Sequence, residues 1–333
     1  MSIDKSVHPH TLQQYRQIVL QHIAPTLGGM KLKDLRPDQI QGLYNQKLVG
    51  GMNARSVIMI HAVLHRSLKQ ALKWGIVGRN PVDAVTRPRF RKKEMQTLTD
   101  TQVRSLLLAA QGTRYEILLW MAVATGLRQG ELLGLRWSDL DWQTRSLHVQ
   151  RQLQRQPGNG LRFTPPKSAA GRRVIVLGEA TIKKLRQHNV LLQAERRQAG
   201  EAWQENDLVF PSSTGTPWDH RNVFRYFKRF LTKAALPDIR FHDLRHTAAT
   251  LMLQQGVNPK IVQERLGHAD ITLTLNAYSH VLPAMQQEAA EKLDELLTPI
   301  DISEHMARLR ERQPSYAASG LAAKTPSGRR LPS

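Results

Sequence analysis

The sequence predicts a mainly α-helical protein with a small antiparallel β-sheet, an α+β chain folded as two domains. Three observations lead there. Apolar residues recur at helical spacing through residues 10–90 and again from Thr99 onward, and Tyr115–Thr125 is apolar nearly all round. A short alternating stretch at Ser146–Gln154 runs into the turn signal Pro157-Gly158-Asn159-Gly160. With 333 residues, 41% of them hydrophobic, the chain can fill two ordinary cores.

The N-terminal unit, residues 1–88, reads as all-helical. Thr11–Ile23 carries Leu12, Tyr15, Val19 and Ile23 near helical period, and Pro25 is expected to stop it. A second helix is expected over Pro37–Leu48, with Pro at a favourable first position. The third, Asn53–Trp74, starts at an Asn cap and ends before Gly75. One face of it holds Val57, Ile60, Leu64, Leu68, Ala71 and Leu72; Arg55, Arg66, Lys69 and Lys73 supply the polar side. The stretch Thr86–Leu98, with Pro88 and a basic run, contains the connector, placed at residues 89–98.

The second domain, residues 99–300, opens where Thr99 and Gln102 form a capping-box pattern ahead of a helix to Ala110. Tyr115–Thr125 should be a buried helix ending at Gly126, and Arg128 follows at once, on a rigid mount. Ser146–Gln154, Leu161–Thr164 and Arg172–Leu177 are the expected strands, the last two forming a hairpin with Lys167 in its loop. Lys167-Ser168 is not a phosphate-binding P-loop, because that pattern requires Gly before the Lys and position 166 is Pro. Helices follow at Glu179–Gln198 and Asp219–Ala235, the latter interleaving Arg221, Arg225, Lys228 and Arg229 with Phe224, Tyr226, Phe227 and Phe230. Pro283–Leu297 is amphipathic, and residues 301–333, rich in Arg, Ser, Pro, Ala and Gly, read as a disordered tail.

Charge narrows the function. There are 48 Lys and Arg against 27 Asp and Glu, a net +21, so the field of the whole molecule favours a polyanionic partner. The absence of cysteine excludes disulfides, thiolate metal sites and a Cys nucleophile. Met1–His10 has no apolar signal-peptide core, and Tyr115–Leu127 falls short of the roughly 20 residues a bilayer demands. The expectation is a soluble cytoplasmic, nucleoid-associated protein with no membrane partner and no cofactor or metal.

The most informative stretch is Phe241–His280. Here Phe241-His242-Asp243-Leu244-Arg245-His246-Thr247 is followed by Leu266-Gly267-His268 and by Ala277-Tyr278-Ser279-His280. Residues three apart share a helix face, so His242 and Arg245 point the same way, an imidazole beside a guanidinium fork that suits phosphate oxygens. This string, with Ala124-Thr125-Gly126-Leu127-Arg128-Gln129-Gly130-Glu131-Leu132 and Lys167 upstream, resembles the catalytic half of the tyrosine recombinase (phage integrase) family. Several separated motifs occur in the right order over residues 95–300. The Trp74–Pro81 pattern (Trp-Gly-Ile-Val…Asn-Pro) likewise resembles the end of that family's core-binding domain.

The resemblance implies a helical core-binding domain gripping double-stranded DNA opposite a recombinase-type catalytic domain. It implies attack by Tyr278 on a DNA phosphate, giving a 3′-phosphotyrosyl link and a free 5′-hydroxyl, with Arg128, Arg245 and His268 on the non-bridging oxygens. Lys167 would protonate the leaving oxygen, His242 would assist proton transfer or bind phosphate, and Glu131 would orient the cluster. Covalent storage of bond energy makes ATP unnecessary, and Arg128 and Arg245 would do the charge stabilisation a metal could otherwise supply. The DNA contacts would come from Arg55, Arg66, Lys69, Lys73, Arg221 and Arg225. The implied partners are the attachment-site duplex, a homotetramer on synapsed DNA, and accessory DNA-bending or directionality factors. The length of residues 140–240 tilts the expectation to integration or excision of a mobile element, a prophage or genomic island.

Three other readings stand beside it. A metalloenzyme is disfavoured because Asp243 replaces the Glu a metalloprotease wants beside His242. A DNA-binding regulator with a helix-turn-helix at Asn258–His280 has no use for Arg128, Lys167 and Tyr278 together, whereas a catalytically inactive recombinase stays open. A type IB topoisomerase uses a similar residue set on one duplex as a monomer. The family often carries an arm-binding domain ahead of the core-binding domain; here helical pattern begins near Thr11, so either a simpler recombinase or a truncated chain is expected.

Overall fold

The computed structural model describes residues 9–90, 96–156, 158, 160–166, 169–272, 275 and 282–297. Lys167, Ser168, Tyr278 and the tail 301–333 lie outside the described residues. No helix among the described residues is long and apolar enough to cross a membrane.

Helix α1 (Pro9–Ile18) passes through a π-helical turn, Val19–Ile23, into α2 (Ala24–Leu27). Pro25 therefore does not stop the helix as expected. It occupies the first turn of α2, where a missing N–H is tolerated, and the wide turn closed by the Ala24 N–H on the Val19 carbonyl absorbs it. Helix α3 (Pro37–Val49) begins with Pro37 at its first position. Helix α4 (Ala54–Lys73) is capped by Asn53, whose side chain accepts from the Arg55 N–H at 2.8 Å. It buries Val57, Ile60, Val63, Leu64, Leu68 and Ala71 against Ile18, Leu27, Ile40, Leu43 and Tyr44, the smaller core. Leu72, expected on that face, is 39% exposed at the rim of the last turn, and Val63 is buried in addition.

The larger core starts at Leu98. That residue, counted with the connector by sequence, is buried, and its N–H donates to Thr247 Oγ1 at 3.1 Å. Helix α5 (Asp100–Ala110) opens with both bonds of the capping box, Gln102 N–H to Thr99 Oγ1 at 3.2 Å and Thr99 N–H to Gln102 Oε1 at 3.0 Å. Helix α6 (Glu116–Thr125) buries Ile117, Leu118, Leu119, Met121 and Ala122. At about 1.5–3 kcal/mol for each large side chain, this burial fixes α6 as the strut of the domain. It stops at Gly126, whose φ of 65° is the left-handed cap conformation, and α7 (Gln129–Leu133) follows.

The strands depart from expectation. Ser146–Gln154 does not run as one strand, nor do Leu161–Thr164 and Arg172–Leu177 form a hairpin. Instead β1 (Leu140–Asp141), β2 (Ser146–Val149) and β5 (Arg173–Val176) make one antiparallel sheet in the order β1-β2-β5, while β3 (Gln152–Gln156) and β4 (Gly160–Thr164) pair separately. The chain breaks at Gln150–Arg151, where Arg151 pairs with buried Asp139. Beyond it β3 lies directly on α7, because Gly130 and Gly134 have no side chain: a Cβ there would sit 2.8 Å from the Leu153 carbonyl oxygen and 3.0 Å from its nitrogen.

Helices α8 (Glu179–Ala199) and α9 (His220–Lys233) follow, the second capped by Asp219, which accepts from the Arg221 N–H at 2.9 Å. Val223, Phe227, Phe230 and Leu231 are buried, whereas Phe224 is exposed among the basic residues. Helix α10 (Asp243–Gln254) packs on α6 and shares the cluster Ala249, Leu253, Val262 and Leu266 with α11 (Pro259–Leu266). Helix α12 (Leu282–Leu297) is the last described element. Of the helix-turn-helix reading, the first helix is α11; Tyr278 to His280 in the second lie outside the described residues.

Candidate active site

Two helix ends meet at the site. Helices α6 and α11 both terminate in left-handed glycines, Gly126 and Gly267, with φ of 65° and 68°. They touch: a Cβ on Gly126 would fall 2.5 Å from Leu266 Cδ2. Each end presents backbone carbonyls left unpaired by the helix and the negative pole of its dipole, a natural seat for cations.

Arginines take that seat. Arg245, on the first turn of α10 and buried, donates from Nη1 to the Gly126 carbonyl at 2.9 Å and from Nη2 to the Leu266 carbonyl at 2.6 Å. Arg128, between α6 and α7, lies near the Gly267 carbonyl, Nη2 to O at 3.5 Å. Arg173, at the head of β5, donates from Nε to the Arg265 carbonyl at 2.7 Å. Three guanidinium groups thus hang from three consecutive carbonyls at the end of α11, immediately before His268.

Glu131 lies beneath them, buried. It accepts from Arg128 Nη1 at 2.7 Å and from the Arg128 N–H at 3.0 Å on one side, and from Arg173 Nη2 at 2.9 Å on the other. Burial pushes its carboxyl up, but the Arg173 bond and charge and the Arg128 contacts outweigh this and hold its pKa below the usual range. Glu131 is ionised at neutral pH and offsets part of the positive charge.

The histidines complete the cluster. His242 caps α10 in helical conformation, its ring 5.3 Å from and perpendicular to that of His246. Loss of hydration, then the charges of Arg245 and Arg128, lower the His242 pKa. The same causes, burial first and then neighbouring positive charge, bring His268 to about 4; His246, beside His242, is also brought to about 4 by burial. All three are neutral imidazoles at pH 7, able to donate one hydrogen bond without adding charge. Among the described residues no three His, Asp or Glu side chains converge in a metal-holding geometry.

The structure therefore brings together Arg128, Glu131, His242, Arg245 and His268 from three separate stretches; Lys167 and Tyr278 lie outside the described residues. Arg173 was not singled out by sequence reasoning. The available signal was its register: it shares a strand face with buried Ile175, and an Arg facing inward needs partners. The basic residues proposed for DNA lie elsewhere. Arg55, Arg66, Lys69 and Lys73 are exposed, and at 100° per residue they form one stripe on α4 opposite its core face. Arg221 and Arg225 are exposed one turn apart on α9.

Comparison with known proteins decides the family. The model of the phage integrase family matches residues 89–285, and that of the phage integrase N-terminal SAM-like domain matches residues 2–48. The chain belongs to the phage integrase family. It is accordingly a tyrosine recombinase, a site-specific enzyme of DNA strand cleavage and rejoining, with DNA as its partner. Among its relatives, the tyrosine recombinase XerC-like protein of Caldanaerobacter subterraneus subsp. tengcongensis is 32% identical over 81% of this chain and 73% of its own length. The ICEBs1 integrase of Bacillus subtilis is 27% identical over 87% of this chain and 78% of its own. Two solved integrases share the fold. The Tn1549 transposon integrase in complex with a circular intermediate DNA superposes with a TM-score of 0.73 at 22% identity, covering 88% of this chain and 96% of that one. A lambda integrase tetramer bound to a Holliday junction gives 0.63 at 22% identity, over 83% of this chain and 73% of that one.

Proposed function

We propose that this integrase moves a mobile element into and out of DNA by transesterification through Tyr278. Attack of the Tyr278 oxygen on a scissile phosphate breaks the bond to the 5′-oxygen and leaves a 3′-phosphotyrosyl link. The departing 5′-oxygen takes a proton from Lys167. In the return step a 5′-hydroxyl from the partner duplex attacks the phosphotyrosine, and Tyr278 leaves. The free pKa of a tyrosine is about 10, so the nucleophile depends on the positive field around it. Arg128 and Arg245 stabilise charge on the non-bridging oxygens, His268 adds a neutral donor, and His242 relays or binds at the phosphate.

The observation that carries this reading is the suspension of guanidinium groups from the end of α11 with neutral imidazoles alongside. Backbone carbonyls and Glu131 hold those groups before any phosphate arrives, so little reorganisation is needed when charge develops. Strand exchange between two duplexes requires a homotetramer, as in the lambda integrase complex with a Holliday junction. Residues 1–88 are assigned to core-site binding, 89–97 to the connector and 98–300 to catalysis. Accessory DNA-bending or directionality factors would act outside this set.

The test is a nicked suicide duplex carrying the junction of the circularised element, incubated with wild type and Tyr278→Phe in EDTA without ATP. A denaturing gel should show a covalent protein–DNA band for the wild type alone. An adduct that survives in Tyr278→Phe removes the nucleophile. Tight binding without any adduct on a proven site favours a DNA-binding regulator.

A further inference from the structure

Arg173 is buried at the centre of the cluster, yet no step of the proposed chemistry uses it. Its side chain is 6% exposed, and all but one of its N–H donors are engaged. Nε donates to the Arg265 carbonyl at 2.7 Å, Nη1 to the Gly171 carbonyl at 3.1 Å and to Glu131 Oε1 at 3.4 Å, and Nη2 to Glu131 Oε2 at 2.9 Å. A guanidinium tied to the protein at four of its five donors, two of them on Glu131, is set to hold that carboxylate. Arg128 differs: its side chain is 37% exposed, and it shares Glu131 with Arg173.

We propose that Arg173 is a positioning residue that orients Arg128 toward the scissile phosphate through Glu131. The argument is geometric. An isolated carboxylate between two helices could rotate, and Arg128 would follow it. Arg173 prevents this by pinning Oε2 of Glu131 while its own Nε is tied to the end of α11. The Arg128 N–H on Oε2 and Nη1 on Oε1 then fix the start of the Arg128 side chain and its tip. Gly267 admits Arg173 to this position, since a Cβ there would meet Arg173 Cδ and Nη1 at 3.0 Å. Arg173 thus ties β5, α7 and α11 together at the carboxylate it shares with Arg128.

The inference rests on the reading of Arg128 as a phosphate ligand, and the experiment separates the two. Arg173→Lys keeps the charge and loses the fork. Adduct formation is measured in single turnover on the suicide duplex with an ordinary scissile phosphate and with a methylphosphonate, in which a methyl group replaces one non-bridging oxygen and removes the negative charge. On the phosphodiester the variant should be slower by about 100-fold, the loss typical of one displaced charge-stabilising donor, with duplex affinity within about threefold of wild type. On the methylphosphonate, where an aimed guanidinium has no charge to neutralise, the gap should close to within about fivefold. Should Arg173→Lys fail to fold, judged by its melting transition, Glu131→Gln is measured in its place and should show the same closing gap.

Equal slowing on both substrates would make Arg173 a structural cross-link and overturn the proposal. So would an Arg128→Lys, Arg173→Lys double variant that loses the product of the two single effects, because residues acting through one another are not additive. If Arg128→Lys itself shows no closing gap while wild type cleaves both substrates, the reading of Arg128 is at fault and the proposal falls with it.

Discussion

At the residue scale, the site is governed by where charge is buried and what accompanies it. Arg245 is a buried cation held by two helix-terminal carbonyls, an arrangement that substitutes fixed dipoles for water. The histidines bear the cost of that field. In the unfolded chain His246 and His268 titrate near 6.5, but in the fold both fall to about 4, through burial first and neighbouring positive charge second. Below pH 6.5 the unfolded chain therefore binds protons that the fold refuses, so stability is present above that pH and is lost as pH falls toward 4. Melting curves at pH 7.5 and 5.0 should show a loss of up to about 2 kcal/mol per group at the lower pH. His246→Gln should flatten the difference. A melting temperature that holds or rises on acidification would contradict the assigned shifts.

At the element scale, the ends of α6 and α11 matter more than their lengths. Gly267 combines a φ of 68° with contact: a Cβ would fall 2.6 Å from the Ala170 carbonyl oxygen as well as against Arg173. Gly75, with a φ of 71°, has nothing within 4 Å of the same position. Gly75→Ala should therefore cost only the left-handed strain, about 1 kcal/mol, whereas Gly267→Ala should cost about 3 kcal/mol and displace the arginine seat. Chemical denaturation of the two variants makes the comparison. Equal losses would mean that the close packing at Gly267 carries no energy.

At the scale of the whole molecule, net +21 and two exposed basic stripes, on α4 and on α9, make binding to a duplex an ionic event. Log Kd should rise linearly with log salt, with a slope of about 0.9 per phosphate neutralised. Replacing Arg66, Lys69 and Lys73 together by Gln should lower that slope by about 3 and weaken unrelated duplexes equally. An unchanged slope would remove the α4 stripe from the interface.

The sequence by itself determined most helices and their caps, and it named the residues proposed to react. Local signals settle those: Asn53 and Thr99 cap because their side-chain oxygens reach N–H groups two or three residues on, and α6 is buried because it is apolar all round. His242 and Arg245 were legible as a pair at helical spacing, whereas Arg128 and His268 were legible only through the order of short strings that resembles the family's. Tertiary structure alone decided the rest. Pro25 continues a helix only because a π turn precedes it, and the strands split into two sheets only because glycines let β3 lie on α7. Arg173 looked like one more basic residue among the chain's many. Its place became visible only when β5, α7 and α11 met around Glu131, since burial of a charge depends on partners far away in sequence.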